Sequence, residues 1–150
     1  RPALKEIEQA GRKLGLQLHM LEASTPAQYE LAFAAAGKAG DQALLLLNSP
    51  LPAVVVERIA ALALERRMPV MFGNRTYVDA GGLISYGPNR FELHRRAAAY
   101  VDRILKGASP ATMAVEQPTK FELVINMKTA KALKVTVPPE VMVQVTKVIE

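Results

Sequence analysis

The sequence predicts an α/β domain built on a doubly wound, mainly parallel sheet. Three observations carry that expectation. Helix-like and strand-like segments alternate from the first residues to about Tyr86, short apolar runs stand between them, and turn residues mark most junctions. Right-handed crossovers between parallel strands produce such alternation. An apolar run without polar interruption suits a strand buried on both faces, as in a parallel sheet covered by helices.

In chain order, Leu4, Ile7, Ala10, Gly11 and Leu14 repeat at helical spacing, and Gly15 is placed to end that helix. The alternation in Leu16-Gln17-Leu18-His19-Met20-Leu21 predicts a strand. Ser24-Thr25-Pro26 puts a capping hydroxyl before proline and opens a second, Ala-rich helix over residues 27–38. Ala43-Leu44-Leu45-Leu46-Leu47 predicts a strand buried on both faces, ended by Asn48-Ser49-Pro50. A third helix follows from about Leu51 to Arg67, with Val55, Ile59, Leu62 and Ala63 on one side. Pro69-Val70-Met71-Phe72 predicts a short buried strand closed by Gly73-Asn74-Arg75. Gly81-Gly82 opens another, Leu83-Ile84-Ser85-Tyr86, which Gly87-Pro88 should stop. A long helix runs from about Asn89 to Lys106. Beyond it come a strand over Phe121–Asn126, a short helix near Thr129–Leu133 and a helix start at Pro138-Pro139.

The 150 residues suffice for one domain with a real core. Half are apolar and 22% charged, the balance of a folded globular chain. The net charge of +5 suggests an acidic partner. However, the basic residues are scattered among acids, and the pairs Arg66-Arg67 and Arg95-Arg96 lack interleaved stacking aromatics, so no nucleic-acid partner is expected. The absence of cysteine excludes disulfides, thiolate ligands and cysteine nucleophiles. No signal peptide is expected ahead of the first helix, and since no apolar run approaches a membrane span, a membrane-spanning chain is not expected either.

Catalysis needs polar groups whose types and placement belong together. Only two histidines occur, His19 in the first strand-like run and His94 in the long helix, both read as surface positions. No metal-ligand spacing, nucleophile elbow or phosphate-cradling loop is present, so no metal, no cofactor and no enzyme are expected. Gly81-Gly82 precedes a strand where a phosphate loop would follow one, and reads as a tight turn. Glu6 and Glu8 lie near the first helix start, and Glu116 and Glu122 flank a turn. None forms an acid/base pair.

A chain without chemistry of its own is better read as one that binds. In open α/β sheets ligands sit beyond the carboxyl ends of the strands. Three such ends carry polar residues: Asn48 and Ser49; Asn74 and Arg75; Ser85 and Tyr86 running into Asn89. These seven are the candidate ligand-binding residues, with hydroxyls, carboxamides, a guanidinium and a phenol suited to a small polar solute. Each is also an ordinary turn or strand-end residue.

Gly81-Gly82-Leu83-Ile84-Ser85-Tyr86-Gly87-Pro88-Asn89, with Arg95-Arg96-Ala97-Ala98 and Tyr100-Val101-Asp102-Arg103-Ile104-Leu105-Lys106-Gly107, resembles the ABC-transporter substrate-binding family. The tail, Val115-Glu116-Gln117-Pro118-Thr119-Lys120-Phe121-Glu122-Leu123-Val124-Ile125-Asn126, then Lys128-Thr129-Ala130-Lys131-Ala132-Leu133 and Val137-Pro138-Pro139, is the most specific part. The likeness spans the chain, most densely from about Pro69 onward. Lys134 stands where the family usually has glycine, which should alter a helix end.

The resemblance implies a type I periplasmic-binding-protein fold, in which two α/β lobes close on a solute, and this chain is similar to the C-terminal lobe. It implies a lobe core over about 1–88 and 115–150, with helix 89–107 packing on an N-terminal lobe. It further implies a small-molecule solute, an amino acid (aromatic ones among the candidates), an ABC permease partner, and a periplasmic or extracytoplasmic lipoprotein. The effector-binding domain of a transcription regulator or sensor, which uses the same fold, is the alternative. Without the other lobe, Leu93, Ala97, Tyr100, Val101 and Ile104 would meet water. The chain alone is therefore expected to form a homodimer through helix 89–107.

Overall fold

Pro2–Lys13 (α1) and Pro26–Ala39 (α2) form the first of two units in the computed structural model, which describes residues 2–47 and 51–150. This unit covers residues 1–41. The second helix begins as the sequence requires: Thr25 and Gln28 form a reciprocal capping box, with Pro26 in the first turn. It ends at Gly40, which takes the left-handed conformation with φ of 76°. Tyr29, Phe33 and Ala36 form its buried stripe.

Between the two helices the expected strand over Leu16–Leu21 does not form, and residues 16–24 carry no regular structure. The backbone folds back on α1, with the Leu16 amide on the Gly11 carbonyl and the Leu18 side chain against Gly11. Leu16, Leu18 and Met20 stay largely exposed. Alternation marks a segment able to pair, but a strand exists only where a ladder partner satisfies its backbone.

The second unit, residues 42–150, holds the sheet. Its elements are Leu44–Leu46 (β1), Ala53–Glu65 (α3), Val70–Phe72 (β2), Thr76–Asp79 (α4), Ile84–Pro88 (β3), Arg90–Leu105 (α5), Phe121–Asn126 (β4), Met127–Leu133 (α6), Pro139–Met142 (α7) and Lys147–Ile149 (β5), with a 3₁₀ turn at Pro110–Thr112. The five strands lie in sequence order. β1, β2 and β3 are parallel, β4 runs antiparallel to β3, and β5 is parallel to β4. The sheet is thus mainly parallel, as the alternation predicts. Gly87 and Pro88 do not stop β3 but extend it, paired with Glu122 and Phe121.

The core gathers Ile59 and Leu62 of α3, Val70 and Phe72 of β2, Val78 of α4, and Val124 and Ile125 of β4, all nearly inaccessible. β1 departs from the expectation of burial on both faces, since Leu45 is 52% and Leu47 43% exposed. It is an edge strand of this sheet, paired on one side only, with β2. The turn before β3 uses glycine as expected: Gly81 has φ of 103°, and its carbonyl accepts the Thr129 hydroxyl of α6 at 2.8 Å. Lys134 ends α6. It adopts the left-handed cap itself, with φ of 56°, at a cost of about 1–2 kcal/mol relative to the right-handed region.

α5 buries no residue. Phe91 (77%), Val101 (55%) and Leu105 (82%) are open to solvent, and Leu93 and Tyr100 are half-buried. Polar bonds instead tie this helix to the segment that returns to β4. The Tyr100 hydroxyl donates to the Ala114 carbonyl at 2.6 Å, Arg96 pairs with Glu116 at 2.6 Å, and Lys120 reaches Glu92 at 3.6 Å. The Arg95 hydrogen bond holds the Glu92 carboxyl below the usual carboxylate range, against a smaller opposing effect of desolvation.

Candidate functional site

Because β1, β2 and β3 are parallel, their carboxyl ends share one edge of the sheet. β4 runs the other way, so its first residues, Phe121 and Glu122, return to that same edge beside Pro88 and Gly87. A cavity of about 200 Å³ opens there. Asn74, Arg75, Thr76 and Asp79 line it from the turn after β2 and from α4. Arg90, Phe91 and His94 line it from the first turns of α5, and Glu122 from β4. Small-molecule pockets usually start at roughly 300 Å³, so this is one wall of a cleft more than a closed chamber.

The wall is ordered by local hydrogen bonds. The Asn74 carboxamide oxygen accepts from the Thr76 amide at 3.0 Å and the Thr76 hydroxyl at 2.9 Å, which turns the chain from β2 into α4. Arg75 Nε donates to both Asp79 carboxylate oxygens, at 3.3 and 3.1 Å, one helical turn on. Asn89 caps α5 by accepting from the Glu92 amide at 3.0 Å, and its amide nitrogen donates to Glu122 at 3.1 Å. That last bond fixes the Glu122 carboxylate across 33 residues of sequence. The wall carries two arginines against one aspartate and one glutamate, with the exposed ring of Phe91 beside them.

The seven residues expected from sequence divide. Asn74 and Arg75 stand on the cavity wall. Asn48 and Ser49 lie outside the described residues. Ser85, at 1% exposure, points into the interior, where its hydroxyl finds no partner among the described residues. Tyr86 lies outside the cavity lining and stacks on Phe121 with ring centroids 5.6 Å apart. Asn89 supports the wall by holding Glu122 without lining it.

Thr76, Asp79, Arg90, Phe91, His94 and Glu122 were not expected there. Arg90, Phe91 and His94 follow Asn89 at helical spacing, so the cap itself was the signal that the next turn faces the strand ends. Glu122 had no such signal, because its place depends on the antiparallel return of β4. Among the described residues no group of three His, Asp or Glu is placed to hold a metal ion. No helix among them is long and apolar enough to cross a membrane.

Residues 1–149 match the family model described as ABC transporter substrate binding protein. No curated protein matches the chain. Among solved structures, the chain is similar to a conserved domain protein from Vibrio cholerae O1 biovar El Tor, at 24% identity and a TM-score of 0.85, covering 98% of this chain and 49% of that one. It is also similar to an ABC domain in complex with L-Trp from Streptococcus pneumoniae, at 21% identity and a TM-score of 0.86, covering 99% and 50%. A ligand-free, open substrate-binding protein with adhesive properties from Clostridium difficile aligns at 19% identity and a TM-score of 0.65, covering 97% and 48%. At these identities the likeness shows the fold, and the chain spans about half the length of each of these structures.

Proposed function

Since the chain belongs to the ABC transporter substrate-binding protein family, we propose that it forms the C-terminal lobe of a solute-binding protein that delivers an amino acid to an ABC permease. The observation that carries this reading is the cavity at the carboxyl ends of β2 and β3, with its balanced charges. Two guanidiniums and two carboxylates of zero formal sum suit a zwitterion, whose carboxylate and ammonium need opposite partners a short distance apart. The open face of Phe91 offers an apolar surface for the side chain, and the L-Trp held by the Streptococcus pneumoniae domain makes aromatic amino acids the first class to try. The family's extracytoplasmic setting supports a periplasmic or membrane-anchored lipoprotein as the working form.

In this reading the exposed side of α5 packs on the N-terminal lobe, and the cleft closes between the two. Exposing a leucine-sized side chain costs roughly 1.5–3 kcal/mol, so residues 1–150 produced alone should self-associate through that helix. Sedimentation equilibrium is expected to show a dimer, and a monomer at high concentration would remove this expectation.

The function itself is tested by thermal unfolding of the full-length protein against the twenty amino acids and a set of small organic solutes. A solute at 100 times its dissociation constant stabilises by about 2.7 kcal/mol, an easily read shift. A hit among amino acids is the expected result. A hit confined to sugars or inorganic anions would replace the substrate class, and silence throughout would overturn the transport reading.

A further inference from the structure

We infer that Arg75 is the anchor for the solute's carboxylate and that Asp79 is its positioning residue, an assignment that rests on the solute-binding reading above. The geometry of the guanidinium carries it. Among the described residues four other arginines make ion pairs at the surface, and each spends a terminal nitrogen on its partner: Arg12 on Glu8, Arg58 on Glu65, Arg95 on Glu92 and Arg96 on Glu116. The hydrogen bonds of Arg75 to Asp79 come from Nε alone. Both terminal nitrogens are left without a protein partner among the described residues, on a side chain that lines the cavity.

A guanidinium held at Nε keeps its plane fixed while its terminal edge stays open. That edge is the part suited to a carboxylate, and pre-orientation lowers the entropy lost on binding. At 24% exposure the side chain is also more shielded than those of Arg12, Arg58, Arg95 or Arg96, so a charged hydrogen bond there is less weakened by water. Asn74 could offer a carboxylate only its uncharged amide nitrogen, because its oxygen is an acceptor and already takes two bonds from Thr76. A phosphate would use the same guanidinium chemistry. Its second negative charge, however, would face Asp79 and Glu122 on the same wall, which favours a carboxylate.

The test is calorimetric titration of the full-length protein with L-tryptophan and L-phenylalanine, and with tryptamine and phenethylamine, which lack only the carboxylate. Inorganic phosphate is the competing anion. The wild type should bind the amino acids at least about tenfold more tightly than the amines, the size expected of a charge-assisted hydrogen bond. Arg75→Gln should remove that gap by weakening the amino acids and leaving the amines nearly unchanged. Asp79→Ala should narrow it, and Asp79→Asn, which keeps one acceptor for Nε, should fall between. A merely structural role for Asp79 would lower both ligand classes together and leave the ratio intact. Phosphate should not displace L-tryptophan at equal concentration.

An unchanged ratio in Arg75→Gln, with tryptophan still bound, overturns the anchor and leaves the solute-binding reading standing. Equal binding of amine and amino acid by the wild type does the same, and so does a site that takes phosphate in preference. If none of the four organic probes binds, the aromatic amino-acid class falls and this assignment falls with it.

Discussion

Replacing Gly87 with alanine is expected to destabilise the protein by about 3 kcal/mol or more, and to abolish solute binding in whatever fraction stays folded. A Cβ at Gly87 would stand 2.1 Å from the Gly73 carbonyl oxygen and 3.1 Å from its carbon. Neither side can yield cheaply. Gly87 is paired with Glu122 in the β3–β4 ladder, and Gly73 is the first residue beyond β2, which is itself paired to β3. Relief would require the carboxyl ends of β2 and β3 to separate, and those ends carry Asn74 and Arg75 on one side and Arg90 on the other. Urea unfolding measures the loss. Gly37, inside α2 with open space around it, is the control, and Gly37→Ala should be neutral or stabilising by up to about 1 kcal/mol. A loss below about 1 kcal/mol in Gly87→Ala would mean that the two backbones do not meet as described.

Phe72→Ala should cost about 3–5 kcal/mol, the range for deleting a buried aromatic ring. Phe72 is wholly buried and stacks on Tyr77 of α4, with centroids 4.6 Å apart and planes within 8°. Its ring also abuts the backbone at Gly82, where the Tyr77 carbonyl accepts the Gly82 amide at 2.7 Å. One side chain thus joins β2, α4 and the turn into β3. α4 has only four residues and cannot persist on its own hydrogen bonds, since helix nucleation is unfavourable at that length. Its place is held by Tyr77 and Val78 in the core, and through them Arg75 and Asp79 are held at the cavity. Truncating Phe72 should therefore weaken amino-acid binding even where the fold survives, whereas Phe72→Leu should retain much of both. Parallel measurement of unfolding and of the ligand-induced shift separates the effects. Normal binding in a destabilised Phe72→Ala would show that α4 is positioned by other contacts.

The strands and helices that read clearly from sequence are those with a local physical signal. Thr25 before Pro26 announces α2, the apolar run ending at Phe72 announces β2, and Phe121–Asn126 appears as β4 with the bounds expected. Gly40 and Gly81 occupy left-handed positions that ordinary side chains resist. The 3₁₀ turn at Pro110–Thr112, α4 and β5 have no such signal. α4 and β5 span four and three residues, too few for any periodicity to declare itself, and β5 exists by its parallel pairing with β4, which the Thr146 hydroxyl enters on the Leu123 carbonyl at 2.8 Å.

By itself the sequence determined that this is an α/β chain with a mainly parallel sheet, that it matches a solute-binding family, and that Asn74 and Arg75 stand beyond a strand end. Only the tertiary structure decided the rest. Whether Leu16–Leu21 pairs, which way β4 runs, and what faces Gly73 are choices made between segments far apart in the chain. Side-chain pattern reports the polarity of a face but not the identity or direction of its neighbour. The antiparallel return of β4 placed Glu122 in the wall, Asn89 was used to hold it there, and Tyr86 was drawn to Phe121 instead of the cavity. The cavity exists because three separate chain segments, the turn after β2, the start of α5 and the start of β4, meet at one edge of the sheet, and that convergence is a property of the pairing, not of any one segment.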